Sequence, residues 1–421
     1  MVAVAASAAL SAQTPTFSSI QRISTGAIGN ETSSLAFYGN FNGNGNTDLI
    51  VGLETSSSFK FLTGNGTGKF SITGSVSPIP PGNAFLVTDV NGDGKDDIIS
   101  LLAGCQEKPC NNYPNDEGDA DGIFTAMLSQ GSGKFTQGYV GTLPPGLGVV
   151  EGVVADFNKD GKPDIAVLAY SSGVYYSAPA MLCIFLNQGM GIFTQTDYQT
   201  PASLGYESPD VTNMVVGDFE GNGNQDIAFA FDSANGAPVA YPELLTFAGN
   251  GKGGFGPGVV SYTFDSQFID QPNLFAADLN GDGRSDLLIG VDTSSSGAPS
   301  GARKPMRVAS LLANTSGRFY WSSAVSLDLT SGYPKIDLSD LNGDGKPDLL
   351  FLDPLYAGSQ TAQGGFYLGL GTGSFKTPHI PTTFTGTGSI IPIALKKGAL
   401  PSLFVSYGLP YIQLRINTTK R

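Results

Sequence analysis

The feature of the sequence most suggestive of chemistry is a nine-residue acidic segment that occurs six times. In Asp89–Asp97 and Asp156–Asp164, oxygen-bearing side chains occupy positions 1, 3, 5 and 9, and glycine occupies position 6. Calcium takes six to eight oxygen ligands, and alternate positions of a short loop can direct their oxygens toward one ion. Glycine at position 6 permits the sharp turn that such a loop requires. The spacing therefore predicts calcium-binding loops.

The predicted ligands are the side-chain oxygens of positions 1, 3, 5 and 9 and the backbone carbonyl of position 7. Five loops carry three acids each at the ligand positions and are expected to bind calcium, with dissociation constants on the order of 10⁻⁴ to 10⁻³ M. The first loop has one acid, which predicts a weak sixth site or a loop held by amide hydrogen bonds alone. The alternative for all six loops is a set of Asx turns that need no metal. In chain order the ligand residues are Asn40, Asn42, Asn44, Asn46, Asp48, Asp89, Asn91, Asp93, Lys95, Asp97, Asp156, Asn158, Asp160, Lys162, Asp164, Asp218, Glu220, Asn222, Asn224, Asp226, Asp278, Asn280, Asp282, Arg284, Asp286, Asp340, Asn342, Asp344, Lys346 and Asp348.

A second signature follows each acidic segment and ends in Gly-x-Phe, which is typical of a tight turn followed by an aromatic anchor. A seventh acidic segment, without its acids, can be aligned on Ala394–Ser402, but no Gly-x-Phe follows it. Thr14–Phe17 at the other terminus resembles the missing half, so the repeat is circularly permuted across the termini. Trp321 comes just after one of these turns and is expected to pack on an outer strand. The six phenylalanines are Phe70, Phe135, Phe193, Phe255, Phe319 and Phe375.

The elements around these motifs are short apolar, β-rich runs. An EF-hand would continue into a helix after a glutamate at position 12, whereas here a β-rich run follows, so each loop is expected to join two strands. Four short strands per repeat of about 60 residues describe a blade of a β-propeller. We predict an all-β, seven-bladed propeller that occupies residues 13–421 as one domain. A strand near Phe17–Ile23 would pair beside Tyr411–Ile416 and close the ring.

The alternation of Asp-x-Asn-x-Asp-Gly-x-x-Asp with Gly-x-Phe resembles the FG-GAP repeats of the integrin-α propeller and of bacterial VCBS-type relatives. The resemblance covers nearly the whole chain, with six motif copies and one eroded copy. It implies calcium-binding hairpin loops in the blades and a role in adhesion or recognition at a cell surface. Propellers host many unrelated activities, so the resemblance indicates the fold more strongly than the function.

Composition excludes several classes of function. The 421 residues carry a formal net charge of −14 and a single histidine, His379. An acidic chain does not offer the cationic face that nucleic acid requires, so no nucleic-acid partner is expected. One histidine removes most histidine-based catalysis, and no nucleophile elbow, zinc spacing or phosphate loop is present. Chance pairs of carboxylates remain possible among 36 acids.

The termini and cysteines bear on the cellular compartment. Residues 1–12 are small or apolar and end in Ala-Leu-Ser-Ala, which we interpret as the remnant of a secretory signal without its basic region. No apolar run of about 20 residues occurs, so no transmembrane segment is expected. Cys105 and Cys110 are close enough in sequence to form a disulfide, and Cys183 reads as a buried thiol. A secreted, cell-surface or periplasmic location is predicted.

The longest insertions between motifs are expected at the end of the ring opposite the acidic loops, and they are rich in tyrosine, serine and glycine. Such residues suit carbohydrate and protein surfaces. We predict a monomeric, non-enzymatic module that binds a glycan or an extracellular protein. A polysaccharide lyase or hydrolase acting through central-channel residues and a purely structural module are the alternatives. The insertions are Ala103–Gly122, Tyr170–Ala180, Asp232–Tyr241, Asp292–Lys304 and Asp353–Gly364.

Overall fold

Seven four-stranded antiparallel sheets make up the described part of the molecule, which confirms the predicted all-β fold and the number of blades. The computed structural model describes residues 13–27, 33–53, 58–76, 82, 84–102, 122–145, 147–171, 181–199, 213–231, 243–264, 274–292, 306–327, 335–353, 361–385, 389–406 and 411–420. No helix among these residues is long and apolar enough to cross a membrane.

Within each of the first six blades the strands are consecutive in the chain. Blade 1 contains β2 (Ser33–Gly39), β3 (Asp48–Leu53), β4 (Ser58–Gly64) and β5 (Phe70–Val76), and blade 2 contains β6 (Ala84–Thr88), β7 (Asp97–Leu102), β8 (Ile123–Gly131) and β9 (Lys134–Thr142). Blade 3 contains β10 (Leu147–Ala155), β11 (Asp164–Ser171), β12 (Met181–Gly189) and β13 (Ile192–Gln199), and blade 4 contains β14 (Val215–Gly217), β15 (Asp226–Phe231), β16 (Glu243–Phe247) and β17 (Val259–Thr263). Blade 5 contains β18 (Leu274–Ala277), β19 (Asp286–Asp292), β20 (Met306–Ala313) and β21 (Phe319–Leu327), and blade 6 contains β22 (Lys335–Ser339), β23 (Asp348–Asp353), β24 (Thr361–Tyr367) and β25 (Ile380–Thr385).

The seventh blade is assembled from both ends of the chain. It contains β26 (Ser389–Ala394), β27 (Pro401–Ser406) and β28 (Tyr411–Arg415), and its fourth strand is β1 (Gln21–Ser24). Ile23 of β1 pairs with Ile412 of β28, and Phe17 forms an isolated bridge with Asn417. The predicted closure of the ring is therefore confirmed, and the outer edge of β28 is paired rather than exposed.

The first strand of each blade lies nearest the centre of the ring. In the first six blades this strand contacts the first strand of the following blade, and β2 contacts the seventh blade through β27 and β28. In an antiparallel blade the connection between strands 1 and 2 and the connection between strands 3 and 4 lie at the same end. The acidic segments form the first kind of connection and the Gly-x-Phe turns the second. Both repeated motifs therefore lie at one end of the ring, which we call the acidic-loop end.

The second and third strands are apolar on both faces because each blade is covered by a neighbour on either side. In β11, Ile165 to Ala169 are all fully buried. Cys183 of the adjacent β12 is also fully buried, as predicted, with a free thiol. Strands buried on both faces read as continuous hydrophobic runs rather than alternating ones. This explains why the repeats contain runs such as Ile-Ala-Val-Leu-Ala.

A contact between neighbouring blades recurs around the ring and joins the two sequence motifs. The apolar residue at position 2 of an acidic loop packs against the Gly-x-Phe phenylalanine of the next blade. Phe157 lies 5.3 Å, between ring centroids, from Phe255, and its carbonyl accepts the N–H of Gly253 at 3.0 Å. Phe219 and Phe319 are likewise 5.3 Å apart. The aromatic anchor thus holds the preceding blade rather than its own.

Candidate metal-binding loops

Each acidic segment connects the innermost strand of a blade to the second strand. All six glycines at position 6 have a positive φ, between 78° and 85°. In that backbone conformation an L-residue with a Cβ is strained, which explains glycine at this position. The eroded seventh segment occupies the equivalent place between β26 and β27, and its Leu395 carbonyl accepts the N–H of Thr47 at 3.0 Å.

The carboxylate at position 1 shapes the loop by accepting backbone hydrogen bonds. Oδ1 of Asp89 accepts the N–H of Gly92 at 2.8 Å, and its Oδ2 accepts the N–H of Gly94 at 2.8 Å. Position 3 adds a bond of the same kind, since Oδ1 of Asn91 accepts the N–H of Asp93 at 3.0 Å. In the first loop the amide oxygen of Asn40 accepts the N–H of Gly45 at 2.9 Å. That loop is shaped by amide groups in the places where other loops use carboxylates.

The carboxylate at position 9 is buried, and its hydrogen bonds join three segments of the same blade. The carboxylate of Asp164 accepts the N–H of Phe157 in the loop at 2.9 Å and the N–H of Asn187 in the third strand at 2.8 Å. Burial raises the pKa of each of these carboxyl groups, and the two N–H donors oppose that rise. Nearby acids of the same loop raise the pKa values further. The resulting pKa is about 7 for Asp97 and Asp348 and about 6 for Asp164, Asp226 and Asp286.

Basic side chains at position 7 pair with the acid at position 5. Nζ of Lys95 lies 2.8 Å from Oδ2 of Asp93, and Nζ of Lys162 lies 2.6 Å from Oδ2 of Asp160. Hydrogen bonding to Lys162 lowers the pKa of Asp160. Sequence reasoning had assigned position 7 only a backbone carbonyl. In the four loops where position 7 is lysine or arginine, its side chain is thus a cation that offsets part of the loop's charge.

The donor set of the loops fits a hard cation in composition. In the loop that begins at Asp278, Nδ2 of Asn280 lies 2.9 Å from Oδ2 of Asp282, so the side chains of positions 3 and 5 converge. The charges of Asp278 and Asp282 also raise the pKa of Asp286, which shows that three acids share one neighbourhood. Among the described residues, however, no three such groups are arranged as a metal site. The side-chain oxygens of a loop lie close together, and many of them already accept hydrogen bonds.

Two groups near the ring centre were not identified individually from the sequence. Asp337 of β22 and Tyr38 of β2 lie on first strands, one on each side of blade 7, and the charge of Asp337 contributes to the raised pKa of Tyr38. Partial burial raises the pKa of Asp337 to about 6, while the N–H of Leu338 opposes the rise. The repeat contains a signal in the sequence that could have identified Asp337. Three residues before the loop the other blades have the apolar residues Phe37, Leu86, Val153, Val215, Phe275 and Ile391.

Replacing Asp337 with asparagine should change how stability depends on pH. A folded-state pKa of about 6, above the ordinary 3.8, means that the folded protein holds this proton longer than the unfolded chain. Stability attributable to Asp337 is therefore present below about pH 4, falls as the pH rises through about 6 and stays lost above it. Relative to wild type, Asp337→Asn should gain about 1–3 kcal/mol of unfolding free energy between about pH 4 and pH 7.5.

Urea unfolding at both pH values, in excess Ca²⁺, measures this difference. Asp197→Asn, which changes an exposed acid on outer strand β13, is the matched control and should show no such change with pH. Parallel pH profiles for wild type and Asp337→Asn would contradict the prediction.

The comparisons with known proteins agree with this architecture. Residues 40–100 and 278–351 match the model of the FG-GAP-like repeat family. These two segments are FG-GAP-like repeats. Each match begins at position 1 of an acidic loop, at Asn40 or Asp278, and ends just after the next acidic loop. No curated protein matches the sequence.

Several solved structures resemble this protein at low sequence identity. A Bacillus licheniformis rhamnogalacturonan lyase is 13% identical with a TM-score of 0.37, covering 93% of this chain and 86% of that one. A Penicillium chrysogenum alpha-L-arabinanase, complexed with arabinobiose, is 12% identical with a TM-score of 0.45, covering 81% of this chain and 97% of that one. At these values the neighbours do not indicate what the propeller binds.

Proposed function

We propose that this protein is a secreted, calcium-stabilised propeller that binds a glycan or an extracellular protein without transforming it. The observation that supports the proposal is the separation of the two ends of the ring. The acidic loops and Gly-x-Phe turns occupy one end, and the connections from strand 2 to strand 3 must emerge at the other. We call that second end the insertion end. Loops carried on a rigid scaffold are where binding residues concentrate.

The insertions themselves supply the chemistry of the proposed binding surface. They begin and end at strand termini that the structure places at the insertion end, such as Leu102 and Ile123 in blade 2. Most of their residues, including the five tyrosines named below, lie outside the described part of the chain, as do the cysteines of the possible disulfide. Aromatic rings with hydroxyl and amide groups suit both sugar faces and protein surfaces. The tyrosines in these segments are Tyr113, Tyr175, Tyr176, Tyr241 and Tyr356.

Calcium is proposed to stabilise the opposite end of the ring. The ion would be held by the side chains at positions 1, 3, 5 and 9 of the five acid-rich loops. A bound divalent cation would offset the repulsion between acids that now raises the pKa values of the position-9 carboxyl groups. The loops also contribute to the contacts between blades, so tightening them would stabilise the ring.

A glycan array followed by a pull-down from a cell-surface extract tests the binding proposal. A bound sugar or captured surface protein is expected, and the signal should fall at least tenfold in a Tyr175→Ala, Tyr241→Ala double variant. Tyr320→Ala, on the exposed face of outer strand β21, is the matched control and should bind normally. Loss of binding in the control as well as in the double variant, or no binding at all in either assay, would contradict the proposed role.

Asp337 and Tyr38 support one alternative, a polysaccharide-acting enzyme that works from the centre of the ring. A carboxyl group with a raised pKa beside a phenol is a combination that general acid–base catalysis uses. Incubation with polysaccharides and measurement of new reducing ends or of unsaturated products tests this alternative. Under the binding proposal no turnover is expected. Turnover that disappears in Asp337→Asn would replace the proposed role with an enzymatic one.

A further inference from the structure

A cavity of about 90 Å³ lies between blades 4 and 5 at the acidic-loop end, which is the end of the ring opposite the insertion end. Phe219 and the buried Asp226 are among the residues that line it. Its walls come from two blades and combine apolar surface, hydroxyl groups and opposite charges. The wall residues used below are Glu220, Thr246, Val259, Ser261, Ser316 and Arg318.

Glu220 makes this junction between blades different from the others. The remaining five acidic loops have asparagine at position 3, and in blade 1 Oδ1 of Asn42 accepts the N–H of Ser132 in the next blade at 2.8 Å. Oε2 of Glu220 instead accepts a hydrogen bond from Asn222 in its own loop at 2.7 Å. A Cβ atom at Gly317 would lie 3.2 Å from Cγ of Glu220, so the acid extends over the turn of blade 5.

Trp321 adds an aromatic surface on the same side of blade 5. It pairs with Leu311 and lies two residues after Phe319 on β21, so it shares the face that Phe319 turns toward blade 4. Trp321 is 40% exposed, and Val259 on the outer strand of blade 4 is 45% exposed. The expectation that Trp321 packs on an outer strand is only partly met, because much of the indole remains accessible.

We propose that this inter-blade cavity binds a neutral monosaccharide unit at the end of a glycan chain. Because Glu220 extends over the turn of blade 5, we assign its carboxylate to this cavity rather than to the calcium ion of its own loop. Glu220 and Arg318 bring opposite charges to one small cavity, so a ligand needs no net charge of its own. Arg318 offers donors and Glu220 offers acceptors, as a ring of hydroxyl groups requires. The hydroxyl groups of Thr246 and Ser316 already donate within their own blades, so their oxygens serve as further acceptors. The indole and Val259 provide apolar surface for the C–H face of a pyranose. A volume equal to about three water molecules accommodates part of one sugar ring rather than a chain.

Isothermal titration of the calcium-supplemented protein with glucose, galactose, mannose and N-acetylglucosamine tests the proposal. Trp321 is the only tryptophan in the chain and lies three residues after Arg318 of the cavity lining, so its emission is a nearby reporter of binding. At least one sugar should give a saturable emission change and a millimolar dissociation constant. Arg318→Ala should weaken that binding roughly tenfold or more, since a hydrogen bond to a charged group contributes about 1.5–3 kcal/mol. Trp321→Ala, followed by calorimetry alone, should weaken it similarly.

Two matched control variants distinguish the loss of binding at the cavity from general effects of a substitution on the protein. Lys134→Ala changes the residue before the phenylalanine in the turn of blade 2, and Tyr320→Ala changes the neighbouring aromatic residue on the other face of β21. Both should bind the sugar as wild type does. Sugar binding that survives Arg318→Ala and Trp321→Ala but is lost with Tyr175 and Tyr241 would assign the glycan to the insertion end and overturn this site. No saturable response to any of the four sugars would overturn it too, while leaving the insertion end open to a different ligand.

Discussion

Chelating Ca²⁺ with EDTA is expected to lower the melting temperature of this protein by about 10 °C, and excess Ca²⁺ should restore it. A ligand that binds only the folded state adds about 1.4–2.7 kcal/mol per site when its concentration is 10–100 times its dissociation constant. About 10 mM Ca²⁺ meets that condition for sites of 10⁻⁴ to 10⁻³ M affinity. Five independent sites would add roughly 7–14 kcal/mol, which for a chain of this length corresponds to a shift on the order of 10 °C.

The physical reason lies in how the loops are built. Each acid-rich loop gathers its oxygens within a few residues, and the charges at positions 1 and 5 already raise the pKa of the buried carboxyl group at position 9. In the absence of a divalent ion the basic residue at position 7 offsets only one acid, as Lys162 does for Asp160. A bound Ca²⁺ would offset the rest. Its removal should therefore weaken the whole acidic-loop end.

Differential scanning calorimetry in EDTA and in Ca²⁺ measures the shift. Asp89→Asn should reduce the calcium-dependent part of the shift by about one site's share. Asp337→Asn is the matched control, because it removes an acid that lies outside the loops, and it should keep the full response. An identical melting curve with and without Ca²⁺ would identify the loops as Asx turns that need no metal.

Replacing Phe157 with alanine is expected to destabilise the protein by about 3–5 kcal/mol, the usual cost of removing a buried aromatic side chain. Phe157 is 2% exposed and packs against Phe255 of the next blade as well as in the hydrophobic cluster between blades 3 and 4. The alanine variant would leave a cavity at an inter-blade junction. Because the ring is closed, weakening one junction should lower the stability of the whole ring.

The repeat itself supplies the control for this substitution. Blades 5 and 6 have leucine at the same position, Leu279 and Leu341, and both are buried. Phe157→Leu should therefore cost less than about 1.5 kcal/mol. Chemical denaturation in Ca²⁺ compares the two variants with Met190→Ala, which removes a side chain that is 77% exposed. Equal stability of the alanine and leucine variants would show that the aromatic junction does not hold the blades together.

Much of the fold could be predicted because the information is local and repeated. The loop that begins at Asp89 specifies its own turn through glycine at position 6 and hydrogen bonds that span a few residues. The strand count, the circular permutation and the pairing of the N-terminal strand with the C-terminal strand followed from counting half-repeats at the two termini. None of these inferences required the distance between two blades.

Contacts between repeats could not be predicted from the sequence in the same way. The Gly-x-Phe motif indicates an aromatic anchor, but only the ring shows that Phe255 packs on Phe157 of the preceding blade. The position-9 acids were predicted as metal ligands, and the structure shows them as buried acceptors of two backbone N–H groups. Asp337 departs from the apolar residue at its place in the repeat, but only the ring shows that it lies across blade 7 from Tyr38 of β2.

The sequence alone therefore determined the strands of a blade, the number of blades and the closure of the ring. It could do so because strand periodicity, turn glycines and motif spacing are properties of short segments. The tertiary structure decided which residues meet across blades, since those contacts depend on how consecutive blades are rotated and packed. Glu220 and Arg318 are 98 positions apart in the numbering and yet line one cavity. A site of that kind exists only because two adjacent blades bring their acidic-loop ends together.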